Sequence, residues 1–177
     1  MKKSIFAALA AILVSLSALA QPLVVQDKDF EKFTKISVED NFVVKFIKSD
    51  HYSVTLKTDE RIAAHVQAYV KNGTLYLILD EKGYSPELKK QLRQKGAAEP
   101  VLEAEVYMPS FSSLVISDKV ILTHCDDFTS GNFTLTASGN AKVQQLGLVC
   151  ETCEIDASKG AQVTAKVDVA SKLYLTT

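Results

Sequence analysis

The sequence has no tryptophan, and only four prolines, seven glycines and three cysteines among 177 residues; its 20 basic and 21 acidic side chains nearly cancel, to a net charge of −1. Each shortage excludes something. A chain with no basic excess and no basic cluster carries no electrostatic footprint for nucleic acid. An odd number of cysteines leaves at least one unpaired, and a single CxxC without nearby histidines makes a poor zinc site. There is no GxSxG, no HExxH, no phosphate-binding glycine loop with its lysine, and no twelve-residue calcium loop. No catalytic, cofactor-binding or metal-ligating residue is therefore assigned, and a non-enzyme is expected. The lack of tryptophan points the same way, since enzymes acting on polysaccharide commonly use aromatic platforms and only Tyr174 of the six tyrosines falls in the repetitive part of the chain, beyond residue 111.

Only one long apolar run exists, Ile5 to Leu19. It comes after Lys2 and Lys3, is short for a membrane span, and ends in Ala18-Leu19-Ala20, with small residues where a signal peptidase reads. Residues 1–20 thus read as a signal peptide cleaved before Gln21. The expected location is the periplasm, the cell surface or the medium, with no transmembrane segment in the mature chain. No cysteine succeeds the cleavage site, so a lipid-anchored amino terminus is not expected. Loss of Lys2 and Lys3 takes the net charge to −3. The mature chain then divides into a lead-in, 21–32, and one domain, 33–177, long enough to bury a core.

What is present is alternation. Ile36 and Val38, then Phe42, Val44 and Phe46, then Val54 and Leu56 fall on one face with Lys45, Thr55 and Lys57 between them, as half-buried strands require. Asn72-Gly73 between two such runs predicts a type I′ hairpin, because both central residues need φ > 0. Ser85 as cap, Pro86 in the first turn, Leu88 and Leu92 at i and i+4, and Gly96 as terminator predict one short helix over 86–95. Strand signal resumes from Leu102 to Met108.

From about residue 111 the chain is self-similar. Phe133 to Val143 aligns without gaps on Cys153 to Val163, a 20-residue offset in which Ala137, Ser138, Ala141 and Val143 meet Ala157, Ser158, Ala161 and Val163. Looser copies begin at Leu114 and Leu173. Such a period with small residues at its corners is what one coil of a β-solenoid needs. The expected fold is all-β: a strand-rich first part, 33–110, running into a right-handed β-helix-like repeat over 111–177. Leu114, Phe133, Cys153 and Leu173 would form one inward ladder, and Ile116, Leu135, Ile155 and Leu175 a second.

By this register Cys153 is a core position, while Cys150 falls on the other side of the strand or in the preceding turn. Plain burial is the simplest state for the thiols, with a small local disulfide as the alternative. The outward positions Thr134, Thr136, Lys142, Glu154, Asp156, Gln162 and Thr164 form polar rows and are the candidate ligand-facing residues. His124-Cys125-Asp126-Asp127 reads as a turn between coils, since neighbouring strand residues point to opposite faces and cannot chelate together. Asp59-Glu60-Arg61 reads as a solvated charge run.

Ile36-Ser-Val38 succeeded by Phe42-Val-Val44-Lys-Phe46, Tyr52-Ser-Val-Thr-Leu56, Val70-Lys-Asn-Gly-Thr-Leu-Tyr-Leu77 and the Ala137-Ser-Gly-Asn-Ala141 corner together resemble the bacterial family of putative auto-transporter adhesins, head GIN domain. The resemblance covers roughly Phe33 to the carboxyl end. It implies a secreted protein of short β-helix-like coils and carries over no catalytic residue. Ile116-Ser-Asp-Lys-Val120 departs from it in lacking a Ser-Gly corner, and Thr177 falls mid-strand, as in a truncated chain or an open last coil. The expected function is a non-catalytic binding or adhesion module presenting a rigid β face to a glycan or a cell-envelope protein. The alternative is an envelope assembly protein that forms a homo-oligomer through its open carboxyl-terminal coil. A polysaccharide-acting enzyme would rest on analogy of shape alone.

Overall fold

The computed structural model describes residues 22–177; the expected signal peptide and cleavage before Gln21 fall outside them. Among the described residues the chain is all-β with one α-helix, and its twelve strands form a single sheet. The stretch read as a lead-in contains the first strand, β1 (Leu23–Asp29), antiparallel to β4 (Ser53–Asp59).

Two short strands, β2 (Lys35–Val38) and β3 (Val43–Lys48), set the pattern for the later strands. A bend at Asp40 separates them, so the sheet has two arms. On the β2 arm, Ile36 pairs with Leu75 of β6 (Thr74–Leu79) on one side and with Leu114 of β8 (Ser113–Ile116) on the other. On the β3 arm, Val44 pairs with Ala104 of β7 (Leu102–Met108) and with Leu122 of β9 (Ile121–Cys125). All four pairings are parallel. β5 (Val66–Lys71) closes the first arm through the hairpin whose Asn72 and Gly73 have φ of 54° and 72°, as the type I′ turn demands. α1 (Pro86–Leu92) fills the bend between β6 and β7, with Ser85 Oγ accepting from the Leu88 N–H at 3.1 Å and Leu88 and Leu92 turned toward the core.

The repeat continues both arms. β10 (Asp127–Ala137), β11 (Lys142–Ala157) and β12 (Gln162–Thr176) pair in parallel, with Phe133, Cys153 and Leu173 in register, and likewise Leu135, Ile155 and Leu175. One correction applies. Leu114 lies opposite Leu135 and Ile116 opposite Ala137, two residues from the expected register. Phe111 is the reason: its ring packs edge-on against Phe133 at 5.3 Å and takes the place expected for Leu114. The slip is even, so inward residues stay inward.

Four of the bends repeat one device. Asp40, Asp118, Gly139 and Lys159 occupy the same place in successive bends with φ of 69°, 59°, 70° and 55°. Asp118 thus stands in for the glycine missing from the Ile116–Val120 corner, since aspartate tolerates the left-handed region better than most side chains.

Along the inward ladder, exposure stays at 1% or below from Leu75 and Ile36 through Leu114 and Leu135. It rises to 6% at Ile155 and 65% at Leu175 on the edge strand. Leu135→Ala should therefore cost about 2–5 kcal/mol of stability, because neighbours on both sides cannot close the cavity. The outward Thr136→Ala should stay within about 0.5 kcal/mol. Urea unfolding of both variants beside the parent checks the register; equal small effects would refute it.

Candidate functional site

The structure divides the expected ligand-facing residues between the two arms. Thr134, Thr136, Glu154 and Asp156 lie on the outer face of the first arm, and all but the partly exposed Asp156 are exposed. Strand register extends them into two rows, the first crossing six strands and the second seven. One runs Tyr69, Tyr76, Ser37, Val115, Thr136, Asp156; the other runs Lys71, Thr74, Lys35, Ser113, Thr134, Glu154, Tyr174. Hydroxyls along the second row are linked, with Thr134 Oγ1 donating to Ser113 Oγ at 3.0 Å.

Tyr69 and Tyr76 escape a reading of the repeats because they lie in the first part of the chain. Their rings stack at 5.2 Å with an interplanar angle of 19°. The signal was the hairpin itself: residues equidistant from Asn72-Gly73 face one another across the strands. Beside Tyr76 in the row stands the small Ser37, and beyond it the 41% exposed Val115. A flat polar strip with an aromatic end can hold an extended, hydroxyl-rich or mixed-polarity ligand.

Lys142, Gln162 and Thr164 are exposed on the second arm, beyond the Gly139 bend. The row of Lys142 and Gln162 continues through Ile121 and Val43 to Glu103 and Lys57. Here charge is largely self-neutralised. Lys45 Nζ meets Glu105 at 3.0 Å, Lys57 Nζ meets Glu103 at 3.4 Å, and Tyr107 donates to Glu105 at 2.9 Å. The Lys45 hydrogen bond, then that of Tyr107, holds the Glu105 carboxyl below its usual range. Exposed pairs of this kind contribute little stability and leave few free donors for a ligand.

Other polar clusters are structural. Ser49 Oγ at 2.7 Å and Asp50 Oδ1 at 3.2 Å both face the same Nδ1 of His51, so the three cannot form a proton relay. His124 Nε2 lies 3.0 Å from Asp126 Oδ1, while Asp126 Oδ2 accepts the Lys48 backbone N–H at 2.7 Å. That second bond is the main reason the Asp126 carboxyl is held below its usual range. No group of three or more His, Cys, Asp or Glu with metal-binding geometry occurs among the described residues. An open hollow of about 410 Å³ lies over the bends, lined by Asp40, Asn41, Glu81, Asp118, Lys119, Gly139 and Asn140.

The family model described as putative auto-transporter adhesin, head GIN domain, matches residues 32–171. The chain belongs to that family. This GIN-domain chain also shares its fold with two solved structures from Parabacteroides distasonis ATCC 8503. One is a putative adhesin, at TM-score 0.60 and 14% identity over 88% of this chain and 65% of that one. The other is a putative lipid binding protein, at TM-score 0.56 and 11% identity over 87% of this chain and 73% of that one. The GIN-domain chain therefore spans about two thirds of the adhesin's length. No curated protein matches it. No helix among the described residues is long and apolar enough to cross a membrane.

One charged group in the GIN-domain chain departs from expectation. Asp59, read as part of a solvated run, is 0% exposed. Arg61 grips it with Nε at 2.9 Å and Nη2 at 2.6 Å, and the Arg61 backbone N–H adds a third bond at 2.9 Å. The 3-10 turn Ala63–His65 comes immediately after and carries the chain from β4 to β5. Asp59 is the last residue of β4, where alternation with the inward Val54, Leu56 and Thr58 would leave it outward, but the chain turns there and drives it in.

The Arg61 hydrogen bonds hold the Asp59 carboxyl below its ordinary 3.8 against the opposing pull of burial. A lowered carboxyl contributes stability that is present above the unfolded-state pKa and lost as pH falls through the lower folded value. At neutral pH Asp59→Asn should cost about 1–3 kcal/mol. The gap to the parent should narrow below about pH 4, where the parent's own carboxyl protonates. Urea midpoints measured across pH 2–7 test this; a gap independent of pH would show that charge plays no part.

Proposed function

We propose that this chain is an exported, non-catalytic binding module whose ligand lies along the outer face of the first sheet arm. The observation that carries the reading is the unbroken outer strip from Tyr69 and Tyr76 through Ser37 and Val115 to Thr136 and Asp156. Successive bends and in-register ladders support a right-handed β-solenoid with coils of about 20 residues in the repeat, a scaffold that holds such a strip rigid. Rigidity matters because a face that does not reorganise loses less entropy on binding. Rows of Thr, Ser, Glu and Asp supply donors and acceptors, and tyrosine supplies apolar area with a polar tip. A glycan is the ligand class that uses both. Thr134, Thr136, Glu154 and Asp156 belong to this strip; Lys142, Gln162 and Thr164 lie around the bend and serve the same ligand only if it wraps.

A glycan array with the chain from Gln21 onward tests the reading. Tyr76→Ala should weaken any bound glycan about tenfold, the equivalent of 1.4 kcal/mol, and Thr136→Lys should obstruct it, while Lys142→Ala should leave it unchanged. Binding that survives the first two and fails with the third would move the site to the other arm. An array without hits would remove the glycan assignment.

Exposure along the edge strand β12 favours a second reading. Leu173 and Leu175 sit on inward ladders yet are 51% and 65% exposed, and the outer hydrogen-bonding side of β12 is unpaired among the described residues. Association through this edge, as an envelope assembly protein, would cover them. Light scattering should then show a concentration-dependent dimer abolished by Leu175→Lys; a strict monomer at all concentrations would reject this reading.

A further inference from the structure

Cys150 and Cys153 are spaced so that a straight strand would send them to opposite faces. Both are nevertheless buried, at 4% and 1% exposure. The cause is a bend within β11. The buried–exposed alternation breaks there, between the buried Cys150 and Cys153, and at the matching place in β10, between the buried Phe128 and Phe133, while β12 inserts one extra residue opposite Cys150 to Thr152. Thr152 Oγ1 donates to Asn132 Oδ1 at 2.6 Å and stacks the two bends.

The bend resets the parity, so both side chains are buried on its two flanks, and the neighbouring Cys150 helps to push the Cys153 thiol up. A disulfide requires Cα atoms roughly 4.4–6.8 Å apart, and two inward side chains three residues apart on the flanks of one bend are the pair placed to meet it. Cys125 stands apart on β9, where its thiol donates to the Asp126 carbonyl at 3.4 Å. Two of the three cysteines therefore converge and the third is excluded.

We propose that Cys150 and Cys153 join in a disulfide when the chain folds against a disulfide oxidant, leaving Cys125 as a free buried thiol. The exchange balances in two steps. One cysteine thiolate attacks a sulfur of the oxidant, forming a mixed disulfide and expelling one thiolate. The second cysteine thiolate then attacks the first cysteine's sulfur and expels the other. The pair gives up two protons and two electrons, and the oxidant leaves as two thiols.

Burial sets the timing. In the folded chain both sulfurs are enclosed, and burial, then the Cys150 neighbour, pushes the Cys153 thiol up to about 11, where little thiolate is present. The exchange therefore precedes the packing of β12 over the bend, and once β12 is in place the bond is shielded from reductants. Its effect is to pin the bend that aims Cys153 at Phe133 and holds the β11 ladder in parity.

The test is refolding of the chain from Gln21 onward in glutathione buffers from fully reduced to fully oxidised, and then denaturation with an alkylating reagent. After oxidising refolding, one cysteine should be alkylated without prior reduction and three after it. Peptide mapping should place the unlabelled pair at positions 150 and 153, in a peptide lighter by two hydrogens. Three alkylated cysteines at every glutathione poise, or a bond that includes Cys125, would overturn the proposal. Cys125→Ser isolates the pair, and its oxidised form should unfold at a higher urea concentration than its reduced form. Equal midpoints would overturn the pinning role.

Discussion

The ring of Phe111 holds the two parts of the sheet together. It is 1% exposed and lies in the link between β7 and β8, edge-on to Phe46 at 5.5 Å, Phe128 at 5.0 Å and Phe133 at 5.3 Å. Phe46 belongs to the early strand β3, the other two to the repeat. The link has an unusual task. β7 lies on one side of β3 and β8 on the far side of β2, so the chain must step over a level of the stack it has already laid down. A buried phenylalanine at that step offers on the order of 2–3 kcal/mol of apolar burial, and its edge-to-face contacts fix where the step lands. That landing sets Leu114 on Leu135, and with it the register of both arms.

The bends add a second constraint. Stacked strands about 4.8 Å apart require stacked bends equally close, and at Gly139 a Cβ would stand 2.8 Å from the Asp118 backbone nitrogen. Glycine is thus demanded twice there, by contact and by its φ of 70°. At Asp40 and Asp118 only the backbone angle is special, and aspartate suffices. Asp40 also contributes a carboxylate that accepts the Leu79 N–H at 2.9 Å, tying the β6 end to the bend beneath it. Burial raises the Asp40 carboxyl, the Leu79 bond offsets part of that, and the nearby Asp118 charge raises it again.

How much of this was legible depended on how local its cause is. The Asn72-Gly73 hairpin, the Ser85 cap and the 20-residue offset each arise from residues close in sequence or from direct self-similarity, and each stands in the structure. Parity also carried through, so Leu135, Ile155 and Cys153 point inward as read. What stayed hidden is long-range. β2, its bend and β3 have the same form as β8, its bend and β9, but residues 49–112 are inserted between them and erase the period. The Phe111 step shifted one register by two. Bends within strands put Cys150 inward and Asp59 under Arg61, where unbroken alternation would have turned both out. For the candidate site, the outward rows were readable from parity, whereas their separation onto two arms and the tyrosine pair needed the strand order.

That strand order has a consequence for how the outer strip can evolve. Inward residues meet partners on both sides, so each change is felt by two neighbouring levels. Outward residues such as Thr134, Thr136 and Glu154 touch mainly one another and water, and substitutions there leave the ladders intact. Folding and recognition are thus assigned to opposite faces of the same strands, separated by one residue of parity. Because the two rows of the strip cross six and seven strands drawn from both parts of the chain, its side chains come from segments as distant as Tyr69 and Asp156 yet are spaced by the fixed strand separation. A ligand matched to that spacing would be read by a surface whose geometry the core maintains and whose chemistry is free to change.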